Sequence, residues 1–279
     1  MKRRPGETGE RLRPPPLHVA IAWLYGTACH LCFVVGVGTM MITMIFGMTT
    51  AFGRVPMPWS WLANLVLLIQ FPLIHSILLS TRGRTMLPRL APLGLGRHLS
   101  TTTYALMASL QVLLLFAGWT PSGTVWWRAS GGLFWTLCGC NAAAWLLLLK
   151  SIVDAGFALQ TGLLGWRAIA RGTTPRYPPM PVTGLFRICR QPIYVAFALT
   201  LWTVPTWTPD QLVVAFVLSA YCLVGPLFKE ARFAQVYGAP FARYKTAVPY
   251  WVPGLKPAPR RSPPSSAPVT GGQASADPT

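Results

Sequence analysis

Charge is what this sequence has least of. Only 11% of its 279 residues are Asp, Glu, Lys or Arg, against about 25% in an ordinary soluble domain. Together with a mean hydropathy of +0.44, that shortage excludes a soluble globular fold and points to an integral membrane protein. Acid is scarcer still: six acidic residues face 24 basic ones, for a net charge of +18. Such an excess could serve nucleic acid, but the Lys and Arg residues form short clusters between apolar runs, without interleaved aromatics. That is the pattern of loops retained on the cytoplasmic side of a membrane. A disulfide framework is also missing, because five of the six cysteines lie inside apolar runs. Cys29-His30-Leu31-Cys32 resembles half of a metal site, yet no second half has matching spacing, so no metal is expected. No internal repeat is evident, and the N-terminal apolar run is too long for a cleaved secretory signal.

What the chain does have is long apolar stretches. A spanning helix needs roughly 20 apolar residues, and candidate spans lie at about 17–47, 58–80, 101–118, 131–150, 192–205 and 210–228. The expected fold is all-α: a polytopic transmembrane helical bundle of about six spans, or five plus a short hairpin. The fifth run is short and holds Pro205. Trp59 and Trp61 suit the membrane interface, and Gly36 and Gly38 suit a bend or close packing. Placing the N-terminus inside puts all but Arg54 and Arg128 of the 24 basic residues on the inner side, so both termini are expected in the cytoplasm. Residues 1–16 read as a basic tail, 17–252 as the membrane domain and 253–279, rich in Pro, Ser and Gly, as a disordered tail. The stretch 151–190 is expected either to lie at the interface or to continue the fourth span, before Pro-rich 174–181 breaks it.

Chemistry is expected where the last two spans end. Pro192 can open a helix at no cost in hydrogen bonds, which sets Arg190 and Gln191 just outside hydrocarbon beside a helix N-terminus suited to a carboxylate or phosphate. The alternative is an ordinary snorkelling arginine. At the other end Glu230 is the only acid between Gln211 and Ala276. It can take an ammonium or pair with Lys229, Arg232 or Arg190. Gly238 should stop that helix, and Pro240 should start another bearing Phe241 and Tyr244. Midway through the second span, His75 beside Ser76 is either a functional base or a packed, hydrogen-bonded histidine.

The order Arg190-x-Pro192-x-Tyr194, apolar hairpin, Gly225-x-x-x-x-Glu230, Tyr237-Gly238-x-x-Phe241-x-x-Tyr244 and Val248-Pro249 resembles the integral membrane methyltransferases. That superfamily includes isoprenylcysteine carboxyl methyltransferase, the phospholipid N-methyltransferases and the NnrU proteins, and the chain most resembles the bacterial methanethiol S-methyltransferase group. Phe71 to Ser76, Ser100 to Tyr104, Trp119-Thr-Pro121 and Val125-Trp126 extend the likeness over roughly 60–252, its specific part being 184–249. The resemblance implies S-adenosylmethionine as cofactor, held by Arg190, Gln191, Tyr194, Glu230, Tyr237 and Tyr244. It also implies a small lipophilic acceptor arriving from the bilayer, such as a thiol, a lipid or a prenylcysteine carboxylate. The active site would face the cytoplasm from a bacterial inner membrane, with His75 and Tyr194 as catalytic candidates and Tyr104 behind them. A non-enzymatic member is the other outcome the resemblance allows. Two positions depart from the pattern: Gln191 stands for the usual His, and Lys229-Glu230 for the usual Glu-Glu. Glutamine donates and accepts but does not titrate, so no proton-transfer role carries over to 191.

Overall fold

The computed structural model describes residues 15–251. The expected tails fall outside these residues, apart from the last two residues of the first. The elements in order are α1 (Pro16–Ile45), α2 (Trp59–Leu79), α3 (Thr81–Leu90), α4 (Gly96–Gly118), β1 (Trp127–Arg128), α5 (Gly131–Asp154), α6 (Phe157–Gln160), α7 (Leu163–Ala170), α8 (Pro192–Trp202), β2 (Thr206–Trp207), α9 (Pro209–Tyr237) and α10 (Ala239–Ala247). Five of them, α1, α2, α4, α5 and α9, are long and apolar enough to cross a bilayer, and α8 is a shorter apolar helix. The protein is an all-α polytopic bundle. Apolar faces turn outward, as hydrocarbon requires: Leu62, Leu65, Val66, Ile69 and Leu73 of α2 are all exposed, as are the anchors Trp59 and Trp61.

Contacts assign each helix end to one of two faces. At the first face Thr208 Oγ1 donates to Gly47 O at 2.7 Å, and β1 pairs antiparallel with β2. Buried Asp210 there accepts from Trp119 Nε1 at 3.0 Å and from Ser122 N and Oγ at 2.9 and 2.6 Å. This latch ties the α4–α5 connection to the start of α9, where Thr208 also caps the helix through Gln211 N at 2.9 Å. At the opposite face Asp154, at the end of α5, receives Leu185 N at 2.9 Å, and the segment before α8 meets the end of α9. Arg54 and Arg128 belong to the first face; the other lysines and arginines among the described residues lie at or near the second.

Between the second and third candidate spans the basic stretch 81–100 contains the amphipathic α3, and α4 begins at Gly96 rather than near 101. The stretch 151–190 at first continues the fourth span. Helix α5 runs on to Asp154, after which α6 and α7 fold back on α1 and α4. Lipid tails give helices no hydrophobic reason to associate, so close packing at small residues does much of the work. A Cβ on Gly36 would stand 2.9 Å from Ser109 O, and one on Gly26 would stand 2.4 Å from the Trp166 ring. Gly38 has nothing within 4 Å. The inner core joins Met40, Met44, Leu68, Phe116, Leu201 and Leu218 from five helices.

Helix α8 spans only 11 residues, about 16 Å at 1.5 Å per residue, and leaves carbonyls at its end without helical partners. Asn141 Nδ2 donates to Thr200 O at 3.1 Å, and Gln211 Nε2 donates to Leu201 O at 3.0 Å. The irregular 203–205 segment then leans on the residue after β1, with Ala129 N donating to Pro205 O at 2.9 Å. A Gly26→Ala variant drives its methyl into Trp166 and is expected to cost about 1–3 kcal/mol. It should lower the detergent melting temperature, whereas Gly38→Ala, with open space and better helix propensity, leaves it equal or higher.

Candidate functional site

The site begins with a short turn. Gly184–Arg187 forms one 3-10 turn before α8. Gly184 has φ +59°, and a Cβ there would stand 2.2 Å from the Asp154 carboxylate, so only glycine lets the turn sit on Asp154. Lys150 pairs with the same carboxylate one turn earlier. Helix α10 and the chain after it close over the far side of this turn. Tyr244 Oη donates to Phe186 O at 2.7 Å, Arg190 N donates to Pro249 O at 3.0 Å, and Cys189 Sγ lies 3.3 Å from Trp251 O. Burial raises the pKa of both Cys189 and Tyr244 above the ordinary values, so both remain protonated donors.

Pro192 opens α8 as expected, and Gln191 occupies the cap position without capping. Its amide is used elsewhere: Nε2 donates to Glu230 Oε1 at 2.9 Å, and Oε1 accepts from Lys229 Nζ at 3.1 Å. Arg190 Nε lies 3.2 Å from Glu230 Oε1. Its N–H is not aimed at that oxygen, so the contact is a charge pair rather than a hydrogen bond. Arg190 Nη1 donates to Lys245 O at 2.8 Å, and the guanidinium carbon is 5.4 Å from the Tyr250 ring centre. Lys245 Nζ reaches Glu230 Oε2 at 3.5 Å. Glu230, Arg190 and Gln191 are all buried. Two cations thus pair with one carboxylate, Arg190 and Lys245 rather than Lys229 or Arg232.

Helix α9 ends at Tyr237, Gly238 turns with φ +54°, and α10 starts at Ala239 with Pro240 in its first turn. That elbow encloses a cleft of about 300 Å3 lined by Glu230, Lys245, Ala234, Gly238 and Phe241, at the low end of the ligand-pocket range. Oε1 of Glu230 is taken up by Arg190 and Gln191, so Oε2 and Lys245 are the charges facing the cleft.

A second cluster lies deeper in the bundle. Tyr104 Oη is 2.6 Å from His75 Nε2. The rings of Phe71 and Tyr221 flank His75 at centroid distances of 5.3 and 6.4 Å. Tyr221 also stands edge-on to Phe71, with ring centroids 6.2 Å apart, and both Tyr221 and Tyr194 border the open side of Gly225. Lys229 links the two clusters, its Nζ 5.9 Å from the Tyr194 ring centre.

Among the seven residues expected to form the site, Arg190, Gln191 and Glu230 meet directly. Tyr194 joins them through Lys229, and Tyr244 holds the turn beneath them. Tyr237 packs on Phe233 at 5.2 Å and makes no polar contact with the Glu230 group among the described residues. His75 belongs to the deeper cluster. Tyr221, Lys245 and Tyr250 were missed. Tyr221, Gly225 and Lys229 recur at i, i+4 and i+8 on one face of α9, a signal the sequence does contain. For Lys245 and Tyr250 there was none, since only the fold at Gly238 brings them back.

No family model matches the chain, and no solved structure matches it. Methanethiol S-methyltransferase 2 of Bradyrhizobium diazoefficiens is 32% identical over 194 residues, 70% of this chain and 73% of that protein. The chain belongs to the integral membrane methyltransferases. Methanethiol S-methyltransferase 1 of the same organism matches this chain at 28% identity over 240 residues, 84% of the chain and 82% of the relative. Nurim of Xenopus laevis matches at 27% over 218 residues, 68% of the chain and 75% of Nurim.

Removing one partner of a buried charge pair strands the other, at roughly 3–5 kcal/mol. Glu230→Ala is therefore expected to lower the melting temperature in detergent more than Glu230→Gln. The double variant Arg190→Met, Glu230→Leu should recover much of the loss.

Proposed function

We propose that the chain transfers a methyl group from S-adenosylmethionine to a small lipophilic thiol, methanethiol being the best-supported acceptor. The observation that carries this reading is Glu230: a buried carboxylate held by Arg190 and Gln191 on one oxygen, with the other facing a cleft beside Lys245. A carboxylate and an ammonium side by side fit the zwitterionic amino-acid end of that cofactor. The relatives named methanethiol S-methyltransferase support the acceptor.

When bound, S-adenosylmethionine supplies a sulfonium methyl already activated for in-line displacement. The residues of this chain orient the partners and manage one proton. Glu230 Oε2 accepts from the ligand's ammonium, and Lys245 meets its carboxylate. Arg190, committed to Glu230 and to Lys245 O, positions these two rather than touching the ligand. A thiol reaching the deeper cluster from the bilayer gives its proton to His75. Both ring nitrogens of His75 stand beside Tyr104 Oη, Nε2 at 2.6 Å and Nδ1 at 3.1 Å, so the tyrosine hydroxyl holds the imidazole in place. Tyr194 stands between the clusters, so the sulfur and the methyl would meet beside its ring. We further propose that the basic face of the bundle is cytoplasmic, in a bacterial inner membrane. The positive-inside rule supports this.

The second reading, a non-enzymatic membrane protein, is favoured by Gln191 and Lys229 and by the likeness to Nurim, a name that states no reaction. One experiment separates them. The full chain in nanodiscs receives methyl-labelled cofactor with methanethiol, hydrogen sulfide, phosphatidylethanolamine or a prenylcysteine. Label is expected in the volatile thioether from methanethiol, with turnover reduced about 10²-fold or more in His75→Asn and less in Tyr104→Phe. Label in a lipid or prenylcysteine instead would reassign the acceptor. No label in any of them, with no calorimetric binding of the cofactor, would leave the non-enzymatic reading.

A further inference from the structure

Lys229 is held in an unusual way for a cation at this depth. Its Nζ lies 5.5 Å from the ring centre of Phe186, 5.5 Å from that of Phe233 and 5.9 Å from that of Tyr194. The rings come from three separate places, the 3-10 turn before α8, α8 itself and α9, and they converge on one point. The one side-chain oxygen there is neutral: Gln191 Oε1, at 3.1 Å. Glu230 is next in sequence, yet its oxygens go to Arg190, Gln191 and Lys245. Among the described residues Lys229 forms no ion pair.

Three π faces with one neutral oxygen make an aromatic cage, and cages of this kind recognise cations whose charge is spread over carbon or sulfur. A primary ammonium suits one poorly, because it is compact and strongly hydrated and gives up water reluctantly. A sulfonium carries its charge on a large, polarizable sulfur bearing three carbons, holds water weakly and offers no N–H needing a partner. The cage shares Gln191 with the Glu230 group on one side and Tyr194 with the His75 cluster on the other. It therefore stands where a methyl would pass between them.

We propose that Phe186, Tyr194 and Phe233, with Gln191 Oε1, form a sulfonium subsite, and that the Lys229 ammonium is its internal occupant and competitor. The inference rests on the cofactor reading above and adds to it that Lys229 leaves the cage when the cofactor enters. The side chain has the means, being half-buried on a flexible four-carbon stem. Position 229, where the chain departs from the family pattern, then sets how strongly the charged form of the cofactor is preferred over its demethylated product. S-adenosylmethionine and S-adenosylhomocysteine differ at the sulfur: one is a sulfonium, the other a neutral thioether.

The ratio of their dissociation constants therefore isolates the subsite. It is measured by calorimetry on the full chain in nanodiscs. Lys229→Met empties the cage of its charge and should tighten S-adenosylmethionine about tenfold relative to S-adenosylhomocysteine, the scale of a desolvated cation–π contact. Lys229→Arg keeps a cation and should hold the native ratio. Phe233→Leu should shift it the other way, weakening the sulfonium form more than the thioether. Equal weakening of both ligands by Lys229→Met would overturn the proposal, because it would make Lys229 a partner of the carboxylate they share. An unchanged ratio in both Lys229→Met and Phe233→Leu would overturn it as well. If neither ligand binds any variant, the cofactor reading fails, and trimethylsulfonium ion offered to Lys229→Met judges the cage alone. Uptake lost in Phe233→Leu, Lys229→Met keeps the subsite, and no uptake ends it.

Discussion

One buried carboxylate organises the basic face of this bundle. Glu230, on α9, is drawn upon by the residues before α8 and by α10, so that three stretches with little other reason to meet are joined. Burying a charge is costly unless it is paired and hydrogen-bonded, and here the pairing comes only from sequence-distant groups. The ion pair is thus a condition on the fold: Arg190 and Gln191 reach Glu230 only if α8 starts at Pro192 and runs alongside α9. The latch at Asp210 imposes the same condition on the other end of α9. Two of the three acidic residues between positions 15 and 251 therefore fix the two ends of a single helix.

The bilayer explains why so much of this was legible in advance. In hydrocarbon every backbone group must be satisfied within the protein, so spans must be helices and their lengths are set by membrane thickness. Pro192 and Gly238 could be placed at helix boundaries because their backbone chemistry leaves little choice. Glu230 could be singled out because an acid among so many cations and so few other acids has to be used. The excess of lysine and arginine in alternate loops gave a correct sorting of the helix ends into two faces.

The deeper cluster was only half legible, for a physical reason. His75 and Tyr104 each stand out as polar residues in apolar helices, but their contact depends on how α2 crosses α4, which no spacing within either helix encodes. Tyr221 belongs to the same group and was lost among the aromatics of α9. Lys229 read as a departure from a motif, and its surroundings depend on a ring from the turn at 184–187, some forty residues earlier. Likewise α3 hid within a stretch whose proline and arginine content suggested a loop, because a short helix lying along a surface need not be apolar throughout.

The shortness of α8 has a consequence for its neighbours. Where that helix stops, the chain continues in irregular form through 203–205 before β2 begins. The carbonyls of Thr200 and Leu201 are covered by the amides of Asn141 and Gln211, and the strand pairing of β1 with β2 takes up the backbone beyond them. The arrangement substitutes for half a helix: two uncharged side chains from neighbouring spans supply the donors that a further turn of α8 would have supplied from its own backbone.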